Sequence, residues 1–239
     1  MNNQKTYSSG FVSLKHRKSK ALKILTVLNE TGGIQSHSPR LKLLDIGTGN
    51  GEIASNLAEH FDVTSVDIVD QRQATSSYAF TLLNNQLLPF ANQSFDIVVS
   101  NHVIEHVNDA ALHFAEIARV LKKDGLVYLA TPNRLWPWEV HYHVLFLHYL
   151  PQPIFTKLLK CLGKYQEPVK LLTWQSLKAK TESSFSLTVF SDHMIKWPNR
   201  YHLSCNSKIA ILLSWIPLRF YQAITFIHPT LVIILKPKN

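Results

Sequence analysis

Between residues 41 and 130 short apolar runs alternate with segments of helical spacing. Residues 41–46, 63–66, 95–100 and 126–130 are four to six residues long and rich in branched side chains, as strands buried on both faces require. Residues 51–59 and 110–121 carry the helical pattern, and the second runs into Lys122, Lys123, Asp124 and Gly125, a basic and glycine stop. Strands alternating with helices predict βαβ units around a parallel sheet.

The pattern changes after residue 134. All five tryptophans lie beyond it, with most of the prolines. Residues 145–163 and 173–182 read as helices, 185–190 as a strand and 230–236 as the last strand. The connection from Asp67 to Asn84 is short and lacks a helical stripe, so it predicts a reduced or missing helix before a strand at 80–83. Residues 207–229 are apolar nearly all round, but Pro217 and Arg219 interrupt them and leave too little uninterrupted length for a transmembrane span. A buried helix is the primary expectation there; a face resting on membrane, or lining a tunnel for an apolar molecule, is the alternative.

Candidate chemistry begins where the first strand gives way to the first helix. Gly47 and Gly49 stand at that junction, and glycine there lets a ligand press against backbone amides at a helix amino terminus. Asp67 ends the second strand, in position to accept hydrogen bonds from ribose hydroxyls. The string Asp45-Ile46-Gly47-Thr48-Gly49-Asn50-Gly51 is G-x-G-x-G preceded by an acid, not the G-x-G-x-x-G of dinucleotide sites. A carboxylate at Asp45 repels a pyrophosphate and attracts an ammonium, so the expected ligand is a nucleoside with an amine and no phosphates, as S-adenosylmethionine is.

Four segments in order, "LLDIGTGNG", "VTSVDI", "LLPFANQSFDIVVSNHVIEHV" and "ARVLKKDGLVYLATPN", resemble the class I S-adenosylmethionine-dependent methyltransferases. Within them the chain is similar to the small-molecule and lipid branch that includes the ubiquinone-biosynthesis O-methyltransferases. The resemblance implies an α/β, Rossmann-like, seven-stranded, mostly parallel sheet with an antiparallel last strand and a helical insertion after strand 5. It implies one domain over 1–239: an N-terminal helical segment (1–40), a cofactor-binding core (41–133), an insertion over the acceptor (134–172) and the remainder of the sheet with an apolar helix (173–239). It also implies roles. Asp45 approaches the methionine amine, Gly47, Thr48 and Gly49 line the methionine part, Asp67 holds the ribose and Ile68 packs on adenine. Asn84 stands where the family has an acid for the adenine amine, and Asn101 completes the cofactor set. The asparagine oxygen still accepts that hydrogen bond, without charge.

Methyl transfer from a sulfonium needs in-line positioning and, for a hydroxyl acceptor, a base. His102, Glu105 and His106 follow strand 4 at i, i+3 and i+4, one helix face if the segment is helical. Such a triplet is able to hold a divalent metal, but the favoured reading has Glu105 satisfying backbone groups and no metal. In "NRLWPWEVHYHVLFLHYLP", Glu139, His141 and His143 alternate with aromatic residues, as a segment with one face on a pocket does, and His148 follows. His106 and His141 are the catalytic candidates.

Composition narrows the partners. The two cysteines, Cys161 and Cys205, lack disulfide-framework and metal spacing, and the polar start MNNQKTYSSG does not read as a secretory signal, so a cytoplasmic location is expected. The net charge of +9 suits anionic partners, and the basic run at 15–23 adds a possible peripheral contact with anionic membrane. A nucleic-acid methyltransferase is the first alternative, disfavoured because Ser100-Asn101-His102-Val103 stands where base-amine enzymes carry Asn-Pro-Pro-aromatic. A non-catalytic S-adenosylmethionine-binding protein is the second. The expected acceptor is a small molecule: a hydroxyl of a hydrophobic, quinol-like or lipid-like compound, or a glycan precursor.

Overall fold

The computed structural model describes residues 14–32, 40–73, 77–165 and 168–238, with side chains from Lys18 onward. Lys15 and Arg17 of the basic run therefore lie outside the described side chains. Helix α1 (Leu14–Glu30) leads into β1 (Lys42–Ile46), α2 (Glu52–Leu57), β2 (Asp62–Asp67), β3 (Ala79–Leu82) and β4 (Phe95–Asn101). After α3 (Ala110–Val120) and β5 (Leu121–Pro132) come the two-residue strands β6 (Trp138–Glu139) and β7 (Val144–Leu145), then α4 (Gln152–Cys161) and α5 (Trp174–Thr181). The chain closes with β8 (Phe185–Val189), α6 (Ser191–Lys196), α7 (Ser207–Trp215), α8 (Leu218–Ala223) and β9 (Thr230–Pro237).

Seven strands form one sheet in the order β3-β2-β1-β4-β5-β9-β8, while β6 and β7 pair only with each other. Strands β1 to β5 run parallel and β9 is antiparallel to both its neighbours. The last strand, β9, is antiparallel as expected, and it lies one place inside the sheet with β8 paired to it at the edge. Strand order reverses between β1 and β4, so the loop after β1 opens at the switch point.

The strands read as continuous apolar runs because alternate side chains enter two cores. Leu43, Val63, Ile97, Val99, Tyr128 and Ile234 face α1, α2 and α6. Leu44, Val66, Val98, Val127, Leu129 and Ile233 face α3 and α5. Burial on both faces sandwiches the sheet between helices and leaves its carboxyl edge for loops.

Two helix expectations change, both at proline. The helix expected over 145–163 starts only at Gln152, because Pro151 forces Leu150 out of the helical region (φ −65°, ψ 155°). The single buried helix expected over 207–229 is two helices broken at Ile216 (φ −70°, ψ 131°) by Pro217, and only Ala210 of α7 is buried. Among the described residues between β2 and β3 there is no helix, in line with the missing apolar stripe. No described helix is long and apolar enough to cross a membrane.

An ion pair on α3 fixes the loop that follows β3. Arg119 donates through Nη2 to the Leu88 carbonyl (2.7 Å) and through Nη1 to the Phe90 carbonyl (2.6 Å), while Glu116 Oε2 accepts from the Leu88 amide (2.7 Å). The two side chains also bond each other in parallel, at 2.8 and 2.7 Å. Arg119→Ala should lower stability by about 1.5–3 kcal/mol, the scale of hydrogen bonds to charged groups, in urea denaturation. A change under about 0.5 kcal/mol, the usual range for surface substitutions, would remove the clamp from the fold's determinants.

Candidate active site

The loop after β1 is shaped by three left-handed glycines, Gly47 (φ 75°), Gly49 (φ 55°) and Gly51 (φ 82°). The Gly47 and Thr48 amides both donate to the Val66 carbonyl, at 2.8 and 3.3 Å, which folds the turn onto the end of β2. A side chain is excluded at Gly47, where a Cβ would sit 2.5 Å from Val103 Cγ2; at Gly49 the same direction meets nothing within 4 Å. The turn is thus braced from one side and open on the other. That open side lies where a ligand meets backbone amides.

Asp67 does more than its position in the sequence suggests. Its Oδ2 accepts from the Gly49 amide (2.8 Å), and its Oδ1 accepts from the amides of Ile68 (2.7 Å) and Val69 (3.3 Å). The carboxylate therefore ties the glycine turn to the end of β2, and lone pairs remain for hydroxyl donors. Ile68 beside it is 70% exposed, a large apolar side chain set for a flat ring.

Asp45 sits beneath the turn, buried, with Oδ2 accepting from Ser65 Oγ (3.1 Å). Burial pushes its carboxyl up to about 6, against the Thr48 and Ser65 hydroxyls, which lower it; nearby Asp67 raises it further. A cation above the turn would favour the ionised form. Asn84 is exposed just past β3, and Asn101 ends β4 with its buried Oδ1 lacking a hydrogen-bond partner. An open glycine turn, an exposed apolar platform, a buried acid short of a cation and an orphaned amide oxygen fit a nucleoside carrying an ammonium group.

The second half of the site stands between the end of β4 and the insertion. The 103–106 segment is a turn closed by the His106 amide on the Val103 carbonyl (2.8 Å), so His102, Glu105 and His106 do not share a helix face. Glu105 has no exposure and is not a helix-start group: its Oε2 accepts from Thr131 Oγ1 of β5 (3.0 Å), and His102 Nδ1 stands 3.3 Å from its Oε1. Burial raises the Glu105 carboxyl, but His102 and then His106 more than offset this and hold it below the ordinary range. Burial likewise lowers His102 despite Glu105 beside it.

The insertion brings His141 to this place. Residues 134–172 leave and rejoin the sheet together, with the Arg134 amide donating to the Leu172 carbonyl (3.0 Å), and they carry a small apolar cluster of Tyr142, Val144, Phe155, Leu159 and Val169. The hairpin β6–β7 sets His141 Nδ1 2.6 Å from Glu139 Oε1 and Nε2 3.8 Å from Glu105 Oε1. Glu139 is buried and also accepts from the Tyr142 amide (2.7 Å); burial raises its carboxyl, and the His141 and backbone hydrogen bonds outweigh that and lower it. The rings of His106 and His141 meet edge to face, centroids 5.3 Å apart. His148, buried on the Arg134 carbonyl (3.0 Å), and exposed His143 stand apart from this group. Glu105, His106 and His141 present ligand atoms all within 4.8 Å of one another, so a divalent cation is an alternative occupant of a place for which the sequence suggested no metal. Val103 against Gly47 joins this turn to the glycine turn.

A family model described as a methyltransferase domain matches residues 14–193. The ubiquinone biosynthesis O-methyltransferase of Bartonella bacilliformis is 28% identical over 165 residues, 64% of this chain and 66% of that protein. The ubiquinone/menaquinone biosynthesis C-methyltransferase of Geotalea daltonii is 32% identical over 134 residues, 48% and 56% of the two chains. The chain thus spans less than two thirds of the length of these curated relatives. The crystal structure of an S-adenosylmethionine-dependent methyltransferase from Mesorhizobium loti superposes with a TM-score of 0.57 at 14% identity, over 91% of this chain and 100% of that one.

The two faces of the glycine turn make separable demands. Gly47→Ala should destabilise the fold through the Val103 contact and the left-handed backbone, whereas Gly49→Ala should cost only about 1–2 kcal/mol of backbone strain yet weaken a ligand seated on the turn by ten-fold or more. Thermal melting and cofactor titration read the two effects. Equal ligand affinity in Gly49→Ala and the parent would move the ligand away from this turn.

Proposed function

The chain belongs to the methyltransferase-domain family, and from that premise we propose that it moves the methyl group of S-adenosylmethionine to a hydroxyl of an apolar, quinol-like or lipid-like small molecule. The observation that carries this reading is the convergence of Glu105, His106 and His141 beside the Gly47 turn. Relatives named for ubiquinone biosynthesis support the acceptor class.

The cofactor supplies a sulfonium methyl already activated for in-line displacement. Asp45, Gly47, Thr48 and Gly49 would hold its methionine end, Asp67 its ribose, and Ile68, Asn84 and Asn101 its adenine side. On the acceptor side, Glu139 is held ionised and accepts from His141 Nδ1, which leaves Nε2 as the proton-accepting nitrogen. The acceptor hydroxyl gives its proton to Nε2 as its oxygen takes the methyl. Glu139 and Glu105 flank the imidazolium so formed and stabilise it. His106 orients the acceptor against the His141 ring edge. Residues 134–172 act as the acceptor lid and exclude water from the transfer.

Two measurements test this arrangement. His141→Ala should lower turnover about 10²–10⁴-fold, the range for losing a general base, with cofactor affinity nearly intact and no dependence on added metal. His106→Ala should raise the acceptor KM more than it lowers kcat. If a chelator abolishes activity and magnesium or manganese restores it, His141 is a metal ligand and not the base.

The cofactor half predicts a pH dependence. The folded Asp45 carboxyl titrates at about 6 against an ordinary value of 3.8, so its buried protonated form contributes stability below 3.8 that is lost as pH rises through about 6. Cofactor binding runs the other way, because only the ionised form attracts the ammonium. S-Adenosylmethionine affinity should fall steadily as pH drops below about 6, and Asp45→Asn should flatten that profile at the weak end. A profile in Asp45→Asn identical to the parent's would assign the amine another partner.

A further inference from the structure

Helices α7 and α8 carry large apolar side chains outward. Ile211, Leu212, Trp215, Phe220, Phe226 and Ile227 are all exposed, Trp215 by 78%. Leu212 and Trp215 stand at i and i+3 and Ile211 and Trp215 at i and i+4, so they share a helix face. The helices are not loosely hung. Lys196 Nζ donates to the carbonyls of Ser214 and Ile216, which ties the end of α7 to α6, and Tyr221 Oη donates to the Leu213 carbonyl (2.8 Å), which ties α8 to α7. A fixed platform holds apolar groups in water at a cost of about 25 cal/mol per Å² that their burial would recover.

The charge around the platform selects what covers it. After Asp192 the chain contains no aspartate or glutamate; of the cations there Arg200 is paired with Glu30 (2.7 Å) and Lys196 bonds backbone carbonyls, and Lys208 and Arg219 belong to the platform itself. Lys208 and Arg219 are exposed on the same two helices as the apolar groups. A second copy of this chain, meeting the face about a two-fold axis, would oppose these cations to themselves with no acid on the lobe to pair them. An anionic lipid surface satisfies both features, since apolar side chains enter the acyl boundary while lysine and arginine stay among headgroups.

We propose that α7 and α8 form a surface that docks this protein on a bilayer containing anionic lipid. The platform is coupled to the insertion: Asn133 Nδ2 donates to the carbonyls of Phe226 (2.8 Å) and His228 (3.0 Å), which holds the 226–228 turn against the first residues of the 134–172 segment. Docking would therefore bring the entrance to the acceptor side near lipid. The proposal goes beyond the methyl-transfer reading, and vesicle binding is measured without cofactor or turnover, so the two fail separately.

The test is flotation of the full chain with phosphatidylcholine vesicles, with and without phosphatidylglycerol, at low and moderate salt. The protein should float with the anionic vesicles only, and less so as salt rises. Lys208→Gln with Arg219→Gln should lower partitioning about 25-fold, near five-fold for each cation at an anionic leaflet. Trp215→Ser with Phe220→Ser should lower it at least ten-fold, with melting temperatures unchanged in both double variants because the replaced side chains are exposed. The proposal is overturned if the parent protein stays in the soluble fraction with anionic vesicles, or if neither double variant weakens flotation. Dimerisation in solution that Trp215→Ser abolishes, with no flotation, would give the face to a second copy.

Discussion

Glu105 is a carboxylate with no exposure, and an ionised group in that position must be compensated by what surrounds it. Thr131 at the end of β5 donates to Oε2 (3.0 Å), and His102 Nδ1 of the same turn as Glu105 lies 3.3 Å from Oε1, with His141 Nε2 of the insertion farther off at 3.8 Å. The Glu105 main-chain carbonyl accepts from the Lys170 amide (2.8 Å), near the insertion's return. The Glu105 turn thus touches the insertion at both His141 and Lys170. His102 takes a left-handed backbone (φ 60°) in this turn, with its amide on the Ala130 carbonyl (2.8 Å), a strain of about 1–2 kcal/mol for a residue with a Cβ. The two histidine rings, His106 and His141, meet beside this buried acid.

Much of the sheet was legible because burial on both faces leaves an unbroken apolar run, and alternation of such runs with helical segments identifies parallel strands; the antiparallel β9 carries the same kind of run. Gly47 and Gly49 were legible for a related reason: few functions other than a tight turn under a ligand ask for that spacing between a strand and a helix. Asp67 was legible only in part. Its place at the end of β2 suggested hydroxyl contacts, but its hold on the Gly49 amide depends on the parallel register of β1 and β2, which no local pattern encodes.

The group of Glu105, His106 and His141 was harder to see in the sequence for a physical reason. Alternation of Glu139 and His141 implied a shared face, and the structure does place them 2.6 Å apart. That His141 would meet Glu105 is a long-range event decided by how the insertion closes, through Arg134 and Leu172, and neither residue type announces it. The same limit hid Asn133, whose amide joins β5 to the 226–228 turn across the whole C-terminal segment. In 207–229 the signal was present: Pro217 bars its predecessor from the helical region, and an apolar sequence around such a break forms two short helices that cannot both bury every face.

The sheet's carboxyl edge therefore gathers elements that sequence order keeps far apart. The glycine turn, the Glu105 turn and the insertion meet there because parallel strands all point their ends the same way. Asn133 extends that edge to the apolar platform. Through the Phe226 carbonyl it holds an exposed aromatic side chain beside the start of the insertion, so apolar surface that gains by losing water is anchored to the same end of the sheet as the buried carboxylates Glu105 and Glu139.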